Sequence, residues 1–204
     1  MQEELFCFPS ENCTHRLILL HGWGADAEDL IPFGKSLVHS LSINIELVSL
    51  NAPQAHPEGI GRQWYGLFPP QWDEANNAVN ALGIRLNKLA SSKIPLEKTV
   101  LMGFSQGGAM ALATGINLPL AGLIGCSAYP HPSLMPKQTC ASVFLSHGRQ
   151  DEVVPMEASK KLFDLFQQNS IPVKLNLFEG GHEISNESHE SIKAFLENAF
   201  SFSL

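Results

Sequence analysis

Gly103-Phe104-Ser105-Gln106-Gly107 places a serine between two glycines, after an apolar run and ahead of an Ala- and Met-rich segment. That setting of strand, turn and helix is what a nucleophile elbow requires. The glycines permit the sharp turn, and the helix N-terminus behind the serine favours the negative charge that develops in acyl transfer. A plain turn serine is the alternative. A hydroxyl attacks only when a base takes its proton, so a histidine oriented by a carboxylate must come within reach. Sites built on such an elbow order their residues serine, acid, histidine along the chain. Of the eight histidines, His182 in Gly180-Gly181-His182-Glu183 lies late and just after an apolar run. His189 is also late but falls inside the polar start of the last helical segment. For the acid, Asp151 stands in the stretch 146–155 that follows the apolar run 142–145; Glu152 is its close rival, and His147 is read as serving the turn.

Acyl transfer also needs donors for the oxyanion. The backbone N–H of Gln106, directly after the serine, supplies one. Leu20-His21-Gly22-Trp23-Gly24, a loop whose glycines let the backbone approach a substrate, supplies the other through the N–H of Trp23, unless it is only a glycine turn. The same loop extended to Ala27 matches a dinucleotide fingerprint, G-x-G-x-x-A. That reading fares poorly, because a Trp crowds the tight turn and no acidic residue stands among Ser49 to Asn51, at the end of the next run. No phosphate-binding G-x-x-x-x-G-K-[ST] run and no H-E-x-x-H metal motif occurs.

These residues need a scaffold, and the chain supplies one of alternating type. Short apolar runs at 16–20, 45–50, 99–104, 120–127, 142–147 and 173–178 read as strands, with an edge strand around 5–8. Between them, helical periods cover 26–40, 106–117, 156–168 and 187–200, and Ala75, Ala78, Val79, Leu82, Leu86 and Leu89 form one apolar stripe on a helix after Asp73. Strands alternating with helices predict an α/β domain over 1–204 with a mostly parallel sheet covered on both faces, its active residues at the carboxyl ends of the strands. A length of 204 residues with 44% hydrophobic and 16% charged content fits one such domain. From Thr99 to Pro136 there is no Asp, Glu, Lys or Arg, yet Gly103, Gly107, Gly108, Gly115, Asn117 and Pro119 break the stretch. It therefore reads as buried sheet and helix rather than an integral membrane segment. A net charge of −7 without basic runs gives no footprint for nucleic acid or anionic membranes. Met1 to Ser10 lack the pattern of a secretory signal, so a cytoplasmic location is expected, with Cys7, Cys13, Cys126 and Cys140 as mostly buried reduced thiols.

Taken together, the 20–24 loop, the segment from Ala52-Pro53 to Trp64-Tyr65, Gly103-Phe104-Ser105-Gln106-Gly107-Gly108, His147-Gly148 with Asp151 to Pro155, and Gly180-Gly181-His182 resemble the phospholipase/carboxylesterase family, which includes acyl-protein thioesterases. The resemblance spans nearly the whole chain. It implies an α/β-hydrolase fold and hydrolysis of carboxylic esters or thioesters without a cofactor or metal. Ser105, Asp151 and His182 would form the triad, and Trp23 and Gln106 would donate to the oxyanion. The substrate would be a small ester or thioester, an acylated protein or a lysophospholipid.

Two departures stand out: Ala25 separates Gly24 from Asp26 where the family commonly has Asp at once, and the loop 127–140 is too short for a cap domain, which predicts an open cleft. Trp23, Trp64, Tyr65, Phe68 and Tyr129 fall in loops near the strand ends, where they either bind an acyl chain or belong to the core; the resemblance places Trp64 beside the nucleophile. A lactone or small-peptide hydrolase on the same triad, and a non-catalytic binding protein of the same fold, are the other readings.

Overall fold

The computed structural model describes residues 4–6, 12–91, 93–137 and 141–201. The chain runs β1 (Glu4–Phe6), β2 (His15–Leu20), α1 (Ile31–His39), β3 (Ile45–Leu50), β4 (Gln54–Ala55), β5 (Arg62–Gln63), α2 (Trp72–Leu89), a single 3-10 turn at Leu96–Lys98, β6 (Thr99–Phe104), α3 (Gln106–Gly115), β7 (Gly122–Cys126), β8 (Val143–Gly148), α4 (Glu157–Gln168), β9 (Val173–Phe178) and α5 (Asn186–Ser201). Seven strands form one sheet in the order β1-β3-β2-β6-β7-β8-β9, parallel throughout except for β1. This is the α/β architecture the alternating pattern predicts.

Continuous apolar runs serve strands buried on both faces. Along β2, Ile18 and Leu20 join one core with α2, α3 and α4, while Leu17 and Leu19 join the other with α1 and α5. On β6, Leu101 faces the first core and Val100 and Met102 the second. α2 carries Asp73 and Glu74 in its first turn, where they complement the helix dipole, and buries Ala75, Val79, Leu82 and Leu86 on one stripe. α3 differs: all ten of its residues are buried. It needs no polar face because sheet and neighbouring helices enclose it, and this explains the uncharged stretch without any membrane. No helix among the described residues is long and apolar enough to cross one.

β3 and β6 flank β2 on opposite sides. Such a switch in strand order opens a crevice at the carboxyl ends, where the loops after β2 and β6 part company. At the other end of the strands lies a buried ion pair, Arg16 with Glu46, whose guanidinium also donates to Leu89 O at 2.7 Å.

The boundaries depart furthest from the sequence reading at α1 and β7. α1 begins at Ile31 rather than 26, because Asp26 Oδ1 accepts the N–H of Glu28 and Asn51 Oδ1 that of Ala27, each at 2.9 Å, holding 26–28 in an irregular turn; Pro32 then opens the helix. The strand expected at 120–127 covers only Gly122–Cys126, since Ser127 turns away at φ 45°. Of the edge strand expected at 5–8, residues 7 and 8 lie outside the described residues. Between β7 and β8 the described residues hold no helix or strand.

Candidate active site

Ser105 sits between β6 and α3 at φ 53° and ψ −118°, a conformation that costs a non-glycine residue about 1–3 kcal/mol. Its N–H donates to Cys126 O at 2.8 Å and its carbonyl accepts from Ala109 at 3.0 Å, so the turn is held from both sides. Glycine is required at the flanks. A Cβ on Gly103 would run into the Gly107 carbonyl, and one on Gly107 into the carbonyls of Leu20 and His21. Cys126, wholly buried beside this turn, has its thiol pushed up to about 12 by desolvation and stays protonated.

The loops after β8 and β9 meet at Gly148, where any Cβ would strike the carbonyls of Gly180 and Gly181. Gln150 N–H donates to Gly180 O and Arg149 N–H to Phe178 O, both at 2.9 Å. This contact brings Asp151 to His182. The His182 Nδ1–H donates to Asp151 Oδ2 at 2.7 Å, and Oδ1 accepts the N–H groups of Val153 at 2.9 Å and Val154 at 2.8 Å. Burial pushes the Asp151 carboxyl up, but the His182 hydrogen bond and the two backbone donors outweigh it and hold it below its ordinary value. Glu152 is exposed and His189 bonds to Ser36 on α1 at 3.1 Å, so neither rival takes part in the pairing. His182 packs its ring on Phe104, with centroids 4.8 Å apart, and opens with Ser105 into one cleft.

That cleft has a volume of about 460 Å³, and its walls include Trp23, Leu67, Phe68, Tyr129 and Val154. The N–H of Gln106, first residue of α3, has no intrahelical acceptor. The N–H of Trp23 donates to no acceptor among the described residues. Its loop is fixed by a buried residue that sequence reasoning passed over. His21 Nε2 accepts the Ala52 N–H at 3.0 Å, which leaves the ring proton on Nδ1 to donate to Gly22 O at 2.7 Å; burial lowers its pKa and keeps it neutral.

The model of the phospholipase/carboxylesterase family matches residues 4–200. The chain belongs to the phospholipase/carboxylesterase family. It is 32% identical over 226 aligned positions to an acyl-protein thioesterase 1 of Mycosarcoma maydis, with 90% of each chain covered. It is 34% identical over 122 positions to an acyl-protein thioesterase 1 of Neurospora crassa; that match covers 54% of this chain and spans half the length of the relative, 50%. Among solved structures, esterase PE8 superposes with a TM-score of 0.82 at 29% identity, covering 92% of this chain and 93% of its own.

Within this phospholipase/carboxylesterase chain, the expected aromatic lining divides. Trp23, Phe68 and Tyr129 border the cleft, Phe68 with 80% of its surface exposed. Trp64 and Tyr65 do not. Trp64 lies beside the Ser105 turn, as the resemblance implies, but beneath the cleft: its N–H donates to Gln106 Oε1 and its indole to His21 O, both at 3.0 Å. Tyr65 is wholly buried and pairs its hydroxyl with that of Tyr129 at 2.7 Å. Position along the loop could not reveal this, because adjacent residues face opposite sides. Burial pushes the Tyr129 hydroxyl up to about 12 and that of Tyr65 further.

His147 also does more than shape a turn. Its Nε2 faces two acceptors, Val154 O at 2.8 Å and Asp151 Oδ2 at 3.2 Å, and therefore carries the proton; Nδ1 accepts from the Ser159 hydroxyl at 2.6 Å. Asp151 is thus gripped on both oxygens. A sequence signal existed, since a histidine four residues before the acid in a tight turn can reach it.

His131, against the edge of Tyr65, gives this family member a pH-dependent stability. Its Nδ1 accepts the Ser133 N–H at 3.1 Å, its Nε2 has no partner among the described residues, and desolvation pulls its pKa from 6.5 to about 4. Between those values the unfolded chain binds a proton that the folded chain refuses, so stability falls as pH drops from about 6.5 toward 4. Urea unfolding of His131→Asn at pH 7 and pH 5 is expected to show a smaller loss on acidification than the parent, by up to about 2 kcal/mol. Identical losses in both proteins would exclude His131 as a source.

Proposed function

We propose that this chain is a serine esterase or thioesterase that works through an acyl-enzyme on Ser105. The observation that carries the reading is the Asp151–His182 hydrogen bond, at 2.7 Å, whose histidine shares the cleft wall with a serine raised on a strained turn. In this reading His182 takes the Ser105 proton as the hydroxyl adds to an ester or thioester carbonyl. The N–H groups of Trp23 and Gln106 hold the oxyanion. Asp151, with no proton of its own to give, keeps the histidine proton on Nδ1 so that Nε2 faces the serine. His182 then protonates the departing alcohol or thiol, and afterwards activates a water that releases the acid.

The family supports ester chemistry, and the relatives named as acyl-protein thioesterases favour acylated thiols within it. The apolar cleft walls suit an acyl chain, and the open, cap-less mouth expected from the short loop 127–140 would suit a bulky leaving group such as a lipid or a protein. A cytoplasmic site of action belongs to the same reading and is checked by fractionation.

The purified protein is expected to be labelled on Ser105 by a fluorophosphonate probe and to release p-nitrophenol from acyl esters with an initial burst. It should also cleave acyl-thioesters. A protein that stays unlabelled and hydrolyses neither class at any acyl length would instead be the non-catalytic binder, and selective turnover of lactones or small amides would point to the neighbouring hydrolase class.

A further inference from the structure

The two proposed oxyanion donors belong to different elements, the loop after β2 and the first turn of α3, yet one short segment is bonded to the side chains of both residues. Residues 62–65 comprise β5 and the two residues after it. Toward the loop after β2, Arg62 O accepts the Gly24 N–H at 2.9 Å, Arg62 N–H donates to Ala25 O at 2.8 Å, and Gln63 Oε1 accepts the indole N–H of Trp23 at 2.8 Å. Toward the nucleophile turn, the side chain of Gln106 accepts from Trp64 N at 3.0 Å and donates to Tyr65 O at 2.8 Å. Gln63 and Gln106 are both buried, so these bonds do not compete with bulk water. Gln63 is itself braced, its Nε2 donating to Gln54 Oε1 at 3.0 Å and Gln54 Nε2 in turn to Glu74 on α2 at 3.1 Å.

We propose that segment 62–65 is a spacer that sets the separation of the Trp23 and Gln106 N–H groups, with Gln63 and the Gln106 side chain as positioning residues. The proposal rests on the esterase reading above. Two donors stabilise an oxyanion only when both lie about 2.7–3.1 Å from the position it will occupy, and a misplacement of about 1 Å can cost 100-fold in rate. Nothing in a substrate's ground state needs that spacing. The spacer therefore acts on kcat and not on KM.

The test compares Gln63→Leu, Gln63→Glu and Trp23→Phe on a p-nitrophenyl ester, together with an alkyl trifluoromethyl ketone that Ser105 converts reversibly into an oxyanion adduct. Gln63→Leu is expected to lower kcat about 10- to 100-fold with KM within about twofold, and to weaken ketone binding by a matching factor. Gln63→Glu keeps an acceptor for the indole but loses the donor to Gln54 Oε1, so it should recover only part of the loss. Trp23→Phe removes the same hydrogen bond from the other side, so the double variant should lose little beyond either single one. If Gln63→Leu fails to fold, Trp23→Phe and Gln63→Glu still decide the matter. An unchanged kcat, a fall in kcat without weaker ketone binding, or multiplicative losses would overturn the spacer while leaving the esterase reading intact. A parent protein without Ser105-dependent turnover overturns that reading, and the spacer with it.

Discussion

Replacing Ser105 by Ala is expected to lower kcat for ester hydrolysis by about four to six orders of magnitude, with the melting temperature nearly unchanged. The alanine keeps the Cβ and so inherits the same strained backbone at φ 53°; the bonds from Ser105 N–H to Cys126 O and from Ala109 N–H to Ser105 O involve no side chain and persist. Only the Oγ is lost. Residual turnover reflects what the oxyanion donors and the cleft achieve without a nucleophile, which for such sites is about 10³–10⁴ over water. The measurement is stopped-flow release of p-nitrophenol, in which the burst should vanish with the steady state. A variant that retains a tenth of the parent rate would assign the chemistry to another group.

Asp151→Asn is expected to cost about 10⁴ in kcat at neutral pH, whereas Glu152→Gln should stay within about threefold. The reason lies in which oxygen does what. Oδ1 receives two backbone N–H groups, so the introduced carboxamide must keep its carbonyl oxygen there. Its NH2 then replaces Oδ2 and points at two donors, the nitrogens of His182 and His147. His182 relieves the clash by moving its proton to Nε2, where it can no longer accept one from Ser105. The substitution also removes a stability increment. The Asp151 carboxyl is held below its ordinary value, so its contribution is fully present above about 3.8 and is lost as pH falls through the lower, folded value. Parent and variant should thus converge in stability at strongly acid pH. Equal activity losses in the two carboxylate variants would undo the assignment of Asp151.

The parts legible in the sequence were those that depend on local pattern. Buried strands announce themselves as unbroken apolar runs, and a tight strand-to-helix turn needs glycine at two fixed places, so β2, β6, α3 and the turn at Ser105 could be read off directly. Chain order then led to Asp151 and His182, which the structure brings together. What escaped notice depends on side-chain direction or on long-range partners. β4 and β5 have two residues each and pair only with one another, too short for any period to register. Trp64 and Tyr65 looked like lining because they are aromatic and near the nucleophile; their burial follows from bonds to His21, Gln106 and Tyr129, residues 41–64 positions away. The start of α1 is not legible from its pattern because Asp26 and Asn51 satisfy backbone donors that a helix would otherwise use.

The complete enclosure of α3 bears on how such a protein can change. Every residue of α3, directly after Ser105, is interior and committed to packing, whereas Phe68 and Val153, at the rim of the cleft, keep 80% and 69% of their surface in solvent. On the proposed reading, substitutions at the rim are expected to alter what the cleft accepts while the chain folds as before, and substitutions in α3 to alter folding before choice of substrate. Under that reading selectivity and stability answer to separate sets of residues, so that the acyl group and the leaving group could be retuned while Ser105, Asp151 and His182 stay in place.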